Sequence, residues 1–308
     1  MTLPNDLPEI AWHGERVSRI ILGTVQLGMD YGVANVHGQP DPARAREIVQ
    51  AAWEAGIRHF DTAQAYGTSE AALGRALREL GIAGEARVAS KLALPRDPAE
   101  VRASVETTFE RLGVERLWCM MFHYPRYLHE WEGPLGEMLE EYRRARKFEH
   151  LGVSLSPLDD APRCLAHPAI EVLQLPCNAW DRRPVRLGII EAAQNNGQLC
   201  CVRSIYLQGL LTMSPEAVAA RLPAAYKAAR AWHTFAAEKN MSPKELAVRF
   251  AMTVAAPLVI GAETPEQISE TVALAHHGPL PPETIEKLST AIDPLVTDEI
   301  LEPWRWPQ

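Results

Sequence analysis

Four titratable side chains in this chain follow short apolar segments, each at the end of its segment or in the loop just after it. They are Asp61, Tyr66, Lys91 and His123. Each one alone has an ordinary structural explanation: a turn cap, a packed aromatic ring, a lysine at a strand end or a hydrogen-bonded core histidine. If all four residues had only such structural roles, their occurrence at neighbouring strand ends would be an unrelated coincidence each time. An acid, a tyrosine, a lysine and a histidine that converge form a group suited to acid–base catalysis.

Eight short apolar segments alternate with amphipathic helical patterns along the chain. The candidate strands are residues 19–25, 57–60, 87–91, 117–123, 150–154, 171–175, 199–204 and 258–261. This alternation predicts a (β/α)8 TIM barrel with extra helices, formed as one domain by residues 1–308. A doubly wound sheet is the competing fold, but the sequence lacks the G-x-G turn that usually follows its first strand. In a barrel the carboxyl ends of the strands form the active face, so the four side chains should meet there.

Helix positions and helix starts are also marked in the sequence. Apolar residues recur at helical spacing in four segments, namely Ala45, Ile48, Val49 and Ala52; Leu73, Leu77 and Leu80; Val101, Val105, Phe109 and Leu112; and Leu135, Met138, Leu139 and Tyr142. Asp41 is a predicted N-cap, and Ser242–Glu245 and Thr264–Gln267 are capping boxes with proline at the first helical position. Residues 221–238 predict a helix additional to the barrel, and Glu283–Ile292 predicts a last helix in the tail.

The bulk composition excludes several functional classes. The 31 basic and 39 acidic residues give a formal net charge of −8, which argues against a general affinity for nucleic acid or an anionic membrane. The amino-terminal stretch lacks a signal-peptide pattern, and no apolar run is long enough to span a bilayer. The five cysteines are odd in number and show no C-x-x-C spacing, so neither a disulfide framework nor a metal site is expected. These features predict a cytoplasmic protein. Cys200 and Cys201 lie in an apolar stretch and are expected to be buried structural thiols.

The stretch GIRHFDTAQAYGTSEAALGRAL (56–77) resembles the signature of the aldo-keto reductase superfamily, Gly-x-x-x-Phe-Asp-Thr-Ala-x-x-Tyr-Gly-x-Ser-Glu-x-x-Leu-Gly. The resemblance continues at ASKL, MFHYP, HLGVS and LQLPCN, in family order, between residues 20 and 271. The segment YGVAN (31–35) is similar to a bacterial subgroup of that superfamily. The resemblance implies an NAD(P)(H)-dependent oxidoreductase that interconverts an aldehyde or ketone and its alcohol on a (β/α)8 barrel.

The chemistry of carbonyl reduction fits the residues that the resemblance singles out. Hydride addition builds negative charge on the carbonyl oxygen, which a proton donor must neutralise. The pKa of a tyrosine is ~10 when unperturbed, and a nearby ammonium favours the phenolate and lowers that pKa. We therefore expect Tyr66 to act as general acid/base beside Lys91, and Asp61 to hold Lys91 charged and oriented. His123 is expected to hydrogen-bond the carbonyl oxygen and orient the substrate.

The resemblance also implies where a nicotinamide cofactor would bind, and two positions depart from the family pattern. Members bind the carboxamide through a Ser-Asn pair and a Gln; Ser154 and Gln174 match, but the Asn position is Leu155. Arg203 occupies the position of an aromatic residue that commonly stacks on the nicotinamide. Its guanidinium could stack on the ring, or meet an acidic substrate group or the pyrophosphate. Further cofactor contacts are expected at Thr24, Asp61, Ser204, Leu207 and Gly209.

The adenine end of the cofactor is expected in the segment VIGAETPEQISETV. Thr264 opens a helix whose N-terminus can accept phosphate oxygens. Many members that prefer NADP carry cations in this loop, whereas Gly261, Glu263 and Gln267 stand here. A carboxylate disfavours a 2′-phosphate and can accept a hydrogen bond from a ribose 2′-hydroxyl. The cofactor is therefore NADP by family default, with NAD use or dual use indicated by this loop.

The substrate expectation depends on the loop of residues 26–40, which would lie on the active face. Candidate substrate contacts are Asp30, Tyr31 and Asn35 for hydroxyl groups, and Trp180 and Tyr206 for apolar or sugar-stacking walls. A sugar-like or polyhydroxylated carbonyl compound is the favoured small-molecule substrate, with a hydrophobic aldehyde or ketone as runner-up. An ordinary solvated surface loop is the alternative interpretation.

Two other functional classes remain open from the sequence. One is a catalytically weak, cofactor-sensing regulatory protein on the same barrel. The other is a phosphate-binding isomerase or aldolase, for which Lys91 could serve as a Schiff-base lysine, although the Asp61/Tyr66 spacing does not fit it. The protein is expected to be a monomer or a weak homo-oligomer.

Overall fold

The computed structural model describes residues 7–93 and 98–306, and ten β-strands lie in this part of the chain. They are β1 (Glu9–Trp12), β2 (Glu15–Ser18), β3 (Ile20–Gly23), β4 (His59–Asp61), β5 (Arg87–Leu92), β6 (Leu117–Phe122), β7 (Phe148–Ser154), β8 (Val172–Pro176), β9 (Leu199–Arg203) and β10 (Leu258–Gly261). Strands β3 to β10 form a closed parallel barrel in chain order, and β10 pairs with β3 to close it. The eight predicted strands and the (β/α)8 barrel are therefore confirmed.

Fourteen α-helices lie in the described residues, most of them around the barrel. They are α1 (Val25–Gly28), α2 (Pro42–Glu54), α3 (Ser69–Glu79), α4 (Pro98–Leu112), α5 (Pro134–Arg144), α6 (Ala161–Ala166), α7 (Arg183–Arg186), α8 (Ile189–Asn195), α9 (Pro215–Arg221), α10 (Tyr226–Glu238), α11 (Pro243–Ala251), α12 (Pro265–Ala275), α13 (Pro282–Ile292) and α14 (Asp298–Leu301). Short 3-10 turns lie at Pro125–Glu130, Leu158–Asp160, Leu210–Thr212, Pro223–Ala225, Asp293–Leu295 and Pro303–Arg305. The extra helix and the tail helix predicted from the sequence are α10 and α13.

The helix starts follow the predicted capping chemistry. The Asp41 carboxylate accepts from the Arg44 backbone N–H at 2.8 Å, and the Ser242 hydroxyl accepts from that of Glu245 at 3.0 Å. Thr264 caps α12 in the same way, at 3.4 Å from the Gln267 nitrogen. The side chain of Gln267 does not complete that box at Thr264, because its oxygen accepts from the Glu263 N–H at 2.8 Å. The side chain therefore braces the loop before the helix.

The barrel strands are buried on both faces. In β3, Ile20 and Leu22 pack outward in the main core between the barrel and its helices, whereas Ile21 packs in a separate cluster. That inner cluster also contains Met121 and Val259 from two other strands. Burial on both faces explains why the strands appear in the sequence as continuous apolar runs.

An antiparallel hairpin of β1 and β2, which the sequence interpretation missed, is attached to the barrel near the amino ends of its strands. The Trp12 indole donates to the Gly197 carbonyl at 2.8 Å. The Glu15 carboxylate accepts from the Trp118 indole at 3.2 Å and lies 2.8 Å from Nε2 of His150. The hairpin therefore packs on the barrel at the end opposite the carboxyl ends of the strands. We call this arrangement the barrel floor.

A second hydrophobic core lies outside the barrel. It is built mainly by α9, α10, α11, α13 and the carboxyl-terminal segment, and its large members include Trp180, Trp232 and Trp306. Trp180 is only 1% exposed and packs edge-on against Trp232, with ring centroids 6.4 Å apart. We call this cluster the outer core.

Two further expectations concern membranes and cysteines. Across residues 7–93 and 98–306, no helix is both long enough and apolar enough to cross a membrane. All five cysteines are free thiols with buried side chains, as expected for structural thiols. Burial raises the pKa of Cys164 and of Cys200 to about 12 in each case, which disfavours the reactive thiolate.

Candidate active site

The structure brings the four predicted side chains together at the carboxyl end of the barrel. Asp61 ends β4, Lys91 lies near the end of β5, and His123 follows β6 directly. Lys91 Nζ donates to both carboxylate oxygens of Asp61, at 2.7 and 2.6 Å, and to the Thr62 carbonyl at 3.0 Å. The Lys91 and Asp61 side chains are 1% and 5% exposed. The pair is therefore a buried ion pair with three hydrogen bonds to the ammonium.

Tyr66 lies against this ion pair. Lys91 Nζ is 4.9 Å from the centroid of the Tyr66 ring. Burial opposes the charged form of Lys91, but the Asp61 carboxylate and Tyr66 outweigh it and raise the pKa of Lys91 above its ordinary value. Lys91 is therefore an ammonium at neutral pH and provides a fixed positive charge beside the tyrosine.

His123 completes the group as a neutral imidazole. Burial, together with the positive charges of Lys91 and Arg203, lowers the pKa of His123 to about 3. Its ring meets the Tyr66 ring edge-on at 5.8 Å and stacks on Tyr124 at 4.9 Å. Within the described residues, Nδ1 of His123 is buried without a hydrogen-bond partner. A neutral imidazole has one donor and one acceptor nitrogen, so His123 can donate to a bound oxygen without protonating it.

The turn that carries Tyr66 is held tightly by its neighbours. A Cβ added to Gly28 would lie 1.9 Å from the Tyr66 carbonyl oxygen, so only glycine permits this close approach. The Ser69 hydroxyl donates to the Thr24 carbonyl at 2.6 Å and lies 2.9 Å from the Thr62 hydroxyl. The predicted cofactor residue Thr24 is fully buried, and its hydroxyl donates to the Asp61 carbonyl at 2.9 Å. The Thr24 side chain is thus engaged in supporting the turn that carries Tyr66.

A cavity of about 660 Å³ opens above these residues. Of the predicted site residues, those that line it are Thr24, Asp61, Tyr66, His123, Ser154, Arg203, Ser204, Leu207, Gly209, Gly261, Glu263 and Gln267. Lys91, Gln174 and Thr264 do not line the cavity, and the first two lie buried beneath its surface. A larger surface groove, about 920 Å³, is lined by parts of α4 and α5, and none of the four converging residues lines it.

Gln174 connects the Lys91–Asp61 pair to the predicted nicotinamide end. Its Nε2 donates to Asp61 Oδ1 at 2.7 Å, while its Oε1 is buried without a partner in the described residues. Ser154 lies on the cavity wall beside it. Leu155, in the place of the family's Asn, is fully buried in the main core. Its carbonyl accepts from Arg203 at 3.5 Å, and its N–H donates to the Gln174 carbonyl at 2.7 Å.

The loop after β9 has an unusual backbone. Ser204, Leu207, Gln208 and Gly209 all have positive φ, between 49° and 93°. At Gly209 an added Cβ would lie 2.4 Å from the Ala34 Cβ, so glycine is required by both the backbone angle and the space. The Val33 N–H donates to the Gln208 carbonyl at 3.0 Å. The loop after β9 and the loop after β3 therefore form adjoining walls of the cavity.

The other end of the cavity is acidic. Glu263 lines it, and burial raises the pKa of this carboxyl above its usual value. No ion pair joins Glu263 to a cation within the described residues. The sequence contains no Lys or Arg from residue 250 to residue 286. Gln26, which the sequence interpretation did not single out, lies over Gly261, where an added Cβ would meet its side-chain atoms at 2.4 Å.

The candidate substrate residues have different positions in the structure. Tyr31 and Tyr206 line the cavity, and the Tyr206 hydroxyl lies 2.9 Å from that of Thr271. The expectation that Trp180 forms a cavity wall was wrong, because its ring packs inside the outer core. The sequence shows that an aromatic residue follows a strand but not which side of the loop it faces.

Two polar candidates do not face the cavity. Asn35 is engaged within its own loop, where its Oδ1 accepts from the His37 and Gly38 N–H groups at 2.9 Å. Asp30 is exposed and is not among the cavity residues. Sequence reasoning also missed Tyr124 and Trp304, two exposed aromatic side chains on the cavity wall. For Tyr124 the signal was available, because it follows the histidine at the end of β6.

Two solved structures have the same barrel architecture as this chain. The aldo-keto reductase AKR11C1 from Bacillus halodurans, in its holo form, superposes with a TM-score of 0.78 at 20% identity, over 96% of this chain and 100% of that one. The glycerol dehydrogenase AKR11B4 from Gluconobacter oxydans superposes with a TM-score of 0.71 at 24% identity, over 93% and 96% of the two chains. At these identities the likeness supports the barrel fold alone.

Sequence relatives and a family model point the same way. Aldo-keto reductase YhdN of Bacillus subtilis (strain 168) is 28% identical over 214 residues, which cover 66% of this chain and 62% of that protein. An aldo-keto reductase of Mycolicibacterium smegmatis is 38% identical over 103 residues, 31% of this chain and 36% of that protein. The matched regions thus cover less than two thirds of the length of either relative. The model of the aldo/keto reductase family, however, matches residues 19–293, nearly the whole chain, and the chain therefore belongs to this family.

Proposed function

We propose that the protein is an NAD(P)(H)-dependent oxidoreductase that interconverts a carbonyl compound and its alcohol, with Tyr66 as the general acid/base. One observation carries this proposal: the Lys91 ammonium, buried beneath the cavity and paired with Asp61, lies against Tyr66, and Tyr66 lines the cavity together with a neutral His123. A tyrosine beside a fixed ammonium is suited to give a proton to a developing alkoxide and to take it back.

Each residue has a distinct part in the proposed reaction. The His123 imidazole donates a hydrogen bond to the substrate oxygen and so directs the carbonyl carbon towards the proposed nicotinamide site. Tyr66 gives its phenolic proton to that oxygen as negative charge develops, and the Lys91 ammonium stabilises the phenolate that remains. A nicotinamide held beside Ser154 and Gln174 would supply the hydride chemistry. In the direction of alcohol oxidation, the Tyr66 phenolate removes the hydroxyl proton.

The residues that would hold the cofactor fit a nicotinamide at the inner end of the cavity. The free, buried Gln174 Oε1 is an acceptor that a carboxamide NH₂ would satisfy. Ser154, the strand partner of Gln174, lines the cavity wall. Leu155 offers no side-chain donor, so the carboxamide has one fewer partner than the family pattern provides. The proposal therefore assigns Ser154 and Gln174, but not residue 155, to the carboxamide.

The proposed cofactor preference is for NAD, or for dual use of NAD and NADP. Support comes from the partly buried Glu263 in the cavity and from the lack of Lys and Arg between residues 250 and 286. A carboxylate repels a 2′-phosphate and can accept from a ribose 2′-hydroxyl. The Thr264 cap and the braced loop at Gln267 hold this carboxylate near the start of α12.

The proposed substrate is a sugar-like or polyhydroxylated carbonyl compound. The cavity wall provides hydrogen-bonding side chains at Tyr31 and Gln208, next to aromatic surface at Tyr124 and Trp304. Aromatic faces beside polar groups suit a ligand that has both hydroxyl groups and C–H surfaces. A hydrophobic aldehyde would use the aromatic surface but leave the polar groups unpaired.

Tyr66→Phe tests the assignment of the acid/base. Turnover of an aldehyde panel, followed by reduced-nicotinamide absorbance, should fall by about 10² to 10⁴-fold, the usual contribution of general acid catalysis. Reduced-cofactor binding, followed by tryptophan fluorescence, should change little, because the phenol contacts the substrate oxygen and not the nucleotide. Near-normal turnover in Tyr66→Phe would refute the assignment. Cofactor binding by the wild-type protein without turnover of any substrate would instead support a regulatory, cofactor-sensing role.

A further inference from the structure

The charged side chains around the active-site cavity are paired, with two exceptions. Lys91 pairs with Asp61, Arg183 pairs with Asp181, and Lys244 pairs with Glu270. Two cavity residues, Arg203 and Glu263, have no ion-pair partner in the part of the chain that the structure describes. Glu263 is already assigned to the proposed adenine end. Arg203 is therefore the cavity cation that has neither an ion-pair partner nor an assigned role.

The Arg203 guanidinium is poorly satisfied. It donates to the Ser204 hydroxyl at 3.2 Å and to the Leu155 carbonyl at 3.5 Å, and both bonds are long. A guanidinium has five N–H donors in a planar fork that matches a carboxylate or phosphate. Arg203 is half-buried at the end of β9 and lines the cavity, so a group that enters the cavity can reach its remaining donors.

The position of Arg203 is close to the reacting centre. Its charge is felt at His123, where it helps to lower the pKa of the imidazole, and at Tyr31, where it opposes the rise in pKa that burial causes. Both of these residues lie on the substrate side of the cavity. The Leu155 carbonyl, which Arg203 contacts, follows Ser154 at the end of β7. The guanidinium therefore lies where substrate and nicotinamide meet, apart from the adenine end marked by Glu263.

We propose that Arg203 binds an anionic group of the substrate, so that the substrate is a carbonyl compound that carries a carboxylate or phosphate near its reacting carbon. This inference rests on the proposed carbonyl–alcohol reaction and specifies its substrate class. The polar cavity wall would hold the hydroxyl groups of such a molecule, and Arg203 would fix its charged end. Binding of the anion would leave no unbalanced cation at this end of the cavity.

A binding experiment tests the proposal without requiring turnover. The probes are succinate and its neutral diamide, succinamide, titrated into the enzyme saturated with NADH and followed by tryptophan fluorescence. A charge-assisted pair with arginine should favour succinate by about 10- to 100-fold. Arg203→Met should reduce this preference to near one, and Arg203→Lys should retain part of it. Lys244→Met is the matched control, because that cation already has a carboxylate partner, and the preference should persist.

Turnover then separates the two sources of the anion. The ratio of kcat/KM for succinic semialdehyde over its amide, and for glycolaldehyde phosphate over glycolaldehyde, shows which of the two anions the enzyme prefers. Two results of the binding experiment would overturn the proposal. The first is that the wild-type enzyme binds succinate and succinamide equally well. The second is that Arg203→Met weakens NADH binding tenfold while the preference for succinate stays, since Arg203 would then bind the cofactor pyrophosphate. Turnover with no preference for anions contradicts this inference alone, whereas lack of both NADH binding and turnover contradicts the proposed function.

Discussion

The side-chain amide of Gln174 donates to Oδ1 of Asp61 at 2.7 Å, although the two residues are 113 positions apart in the chain. The same amide keeps its oxygen buried and unpartnered within the described residues. One side chain is thus shared between the carboxylate that orients Lys91 and the place proposed for the carboxamide. Cofactor binding and the catalytic ion pair should therefore respond together when this amide is changed.

Replacement of Gln174 by Leu should weaken reduced-cofactor binding and lower kcat in the same variant. A buried carboxamide that loses its partner costs about 1–3 kcal/mol, or roughly 5- to 150-fold in the dissociation constant. Gln174→Glu should be worse than Gln174→Leu, because it places a second carboxylate beside Asp61. Fluorescence titration and steady-state kinetics check both effects. A normal dissociation constant in both variants would show that Gln174 serves Asp61 alone.

The Lys91–Asp61 pair should be coupled in stability as well as in activity. Lys91→Met leaves the Asp61 carboxylate buried without its partner, which should lower the free energy of unfolding by about 3–5 kcal/mol. Adding Asp61→Leu to that variant removes the unpaired buried carboxylate. The free energy of unfolding should then recover much of what Lys91→Met lost. Turnover should stay abolished in both proteins. Urea unfolding of the wild type, the two single variants and the double variant gives the coupling energy between the two residues. If the two single-variant losses simply add up in the double variant, the account is contradicted.

Glu263→Lys should shift the cofactor preference towards NADPH. The change replaces a carboxylate that repels the 2′-phosphate with a cation that attracts it, so the ratio of NADH to NADPH dissociation constants should rise by at least about tenfold. Glu266→Lys is the matched control, since Glu266 is exposed at the start of the same helix and does not line the cavity. An equal shift in both variants would indicate a general charge effect.

The barrel floor should make stability depend on pH through His150. Burial opposes the charged imidazole, but Glu171 and Glu15 outweigh it and raise the pKa of His150 above its ordinary 6.5. The charged form therefore contributes stability that is complete below about pH 6.5 and is lost as pH rises through the higher folded-state pKa. The Tm difference between wild type and His150→Gln should be larger at about pH 6 than at about pH 9. Glu15→Gln, which removes one of the two acids, should show a weaker dependence, and a difference that grows with pH would contradict the assignment.

The sequence predicted the barrel well, because the strands are buried on both faces and appear as uninterrupted apolar runs. The positions of Asp61, Lys91 and His123 at strand ends followed from the same pattern. The β1–β2 hairpin was missed because its strands have four residues each, with little apolar alternation. The only local signal in the sequence was Gly14, a residue that accepts positive φ. In the structure both His13 and Gly14 have positive φ, as a two-residue hairpin turn requires.

Side-chain direction in loops could not be predicted from the sequence. Trp180 and Trp304 both follow barrel elements, yet one is sealed in the outer core and the other lies on the cavity wall. Asn35 has the polarity of a ligand contact but satisfies its own loop. These outcomes depend on tertiary packing between segments distant in the chain, which local residue types do not specify.

The outer core has a consequence for how such an enzyme can diverge. Leu207 and Leu301 belong to that cluster and also line the cavity, whereas Phe60, Leu92 and Phe122, the strand neighbours of Asp61, Lys91 and His123, belong to the main core. The proposed catalytic group is thus anchored in one packed core, and part of the proposed substrate wall belongs to another. Substitutions in the outer core can therefore reshape what the cavity admits while the Lys91–Asp61 pair stays unchanged. Selection can act on substrate choice and on reactivity as nearly separate traits in this molecule.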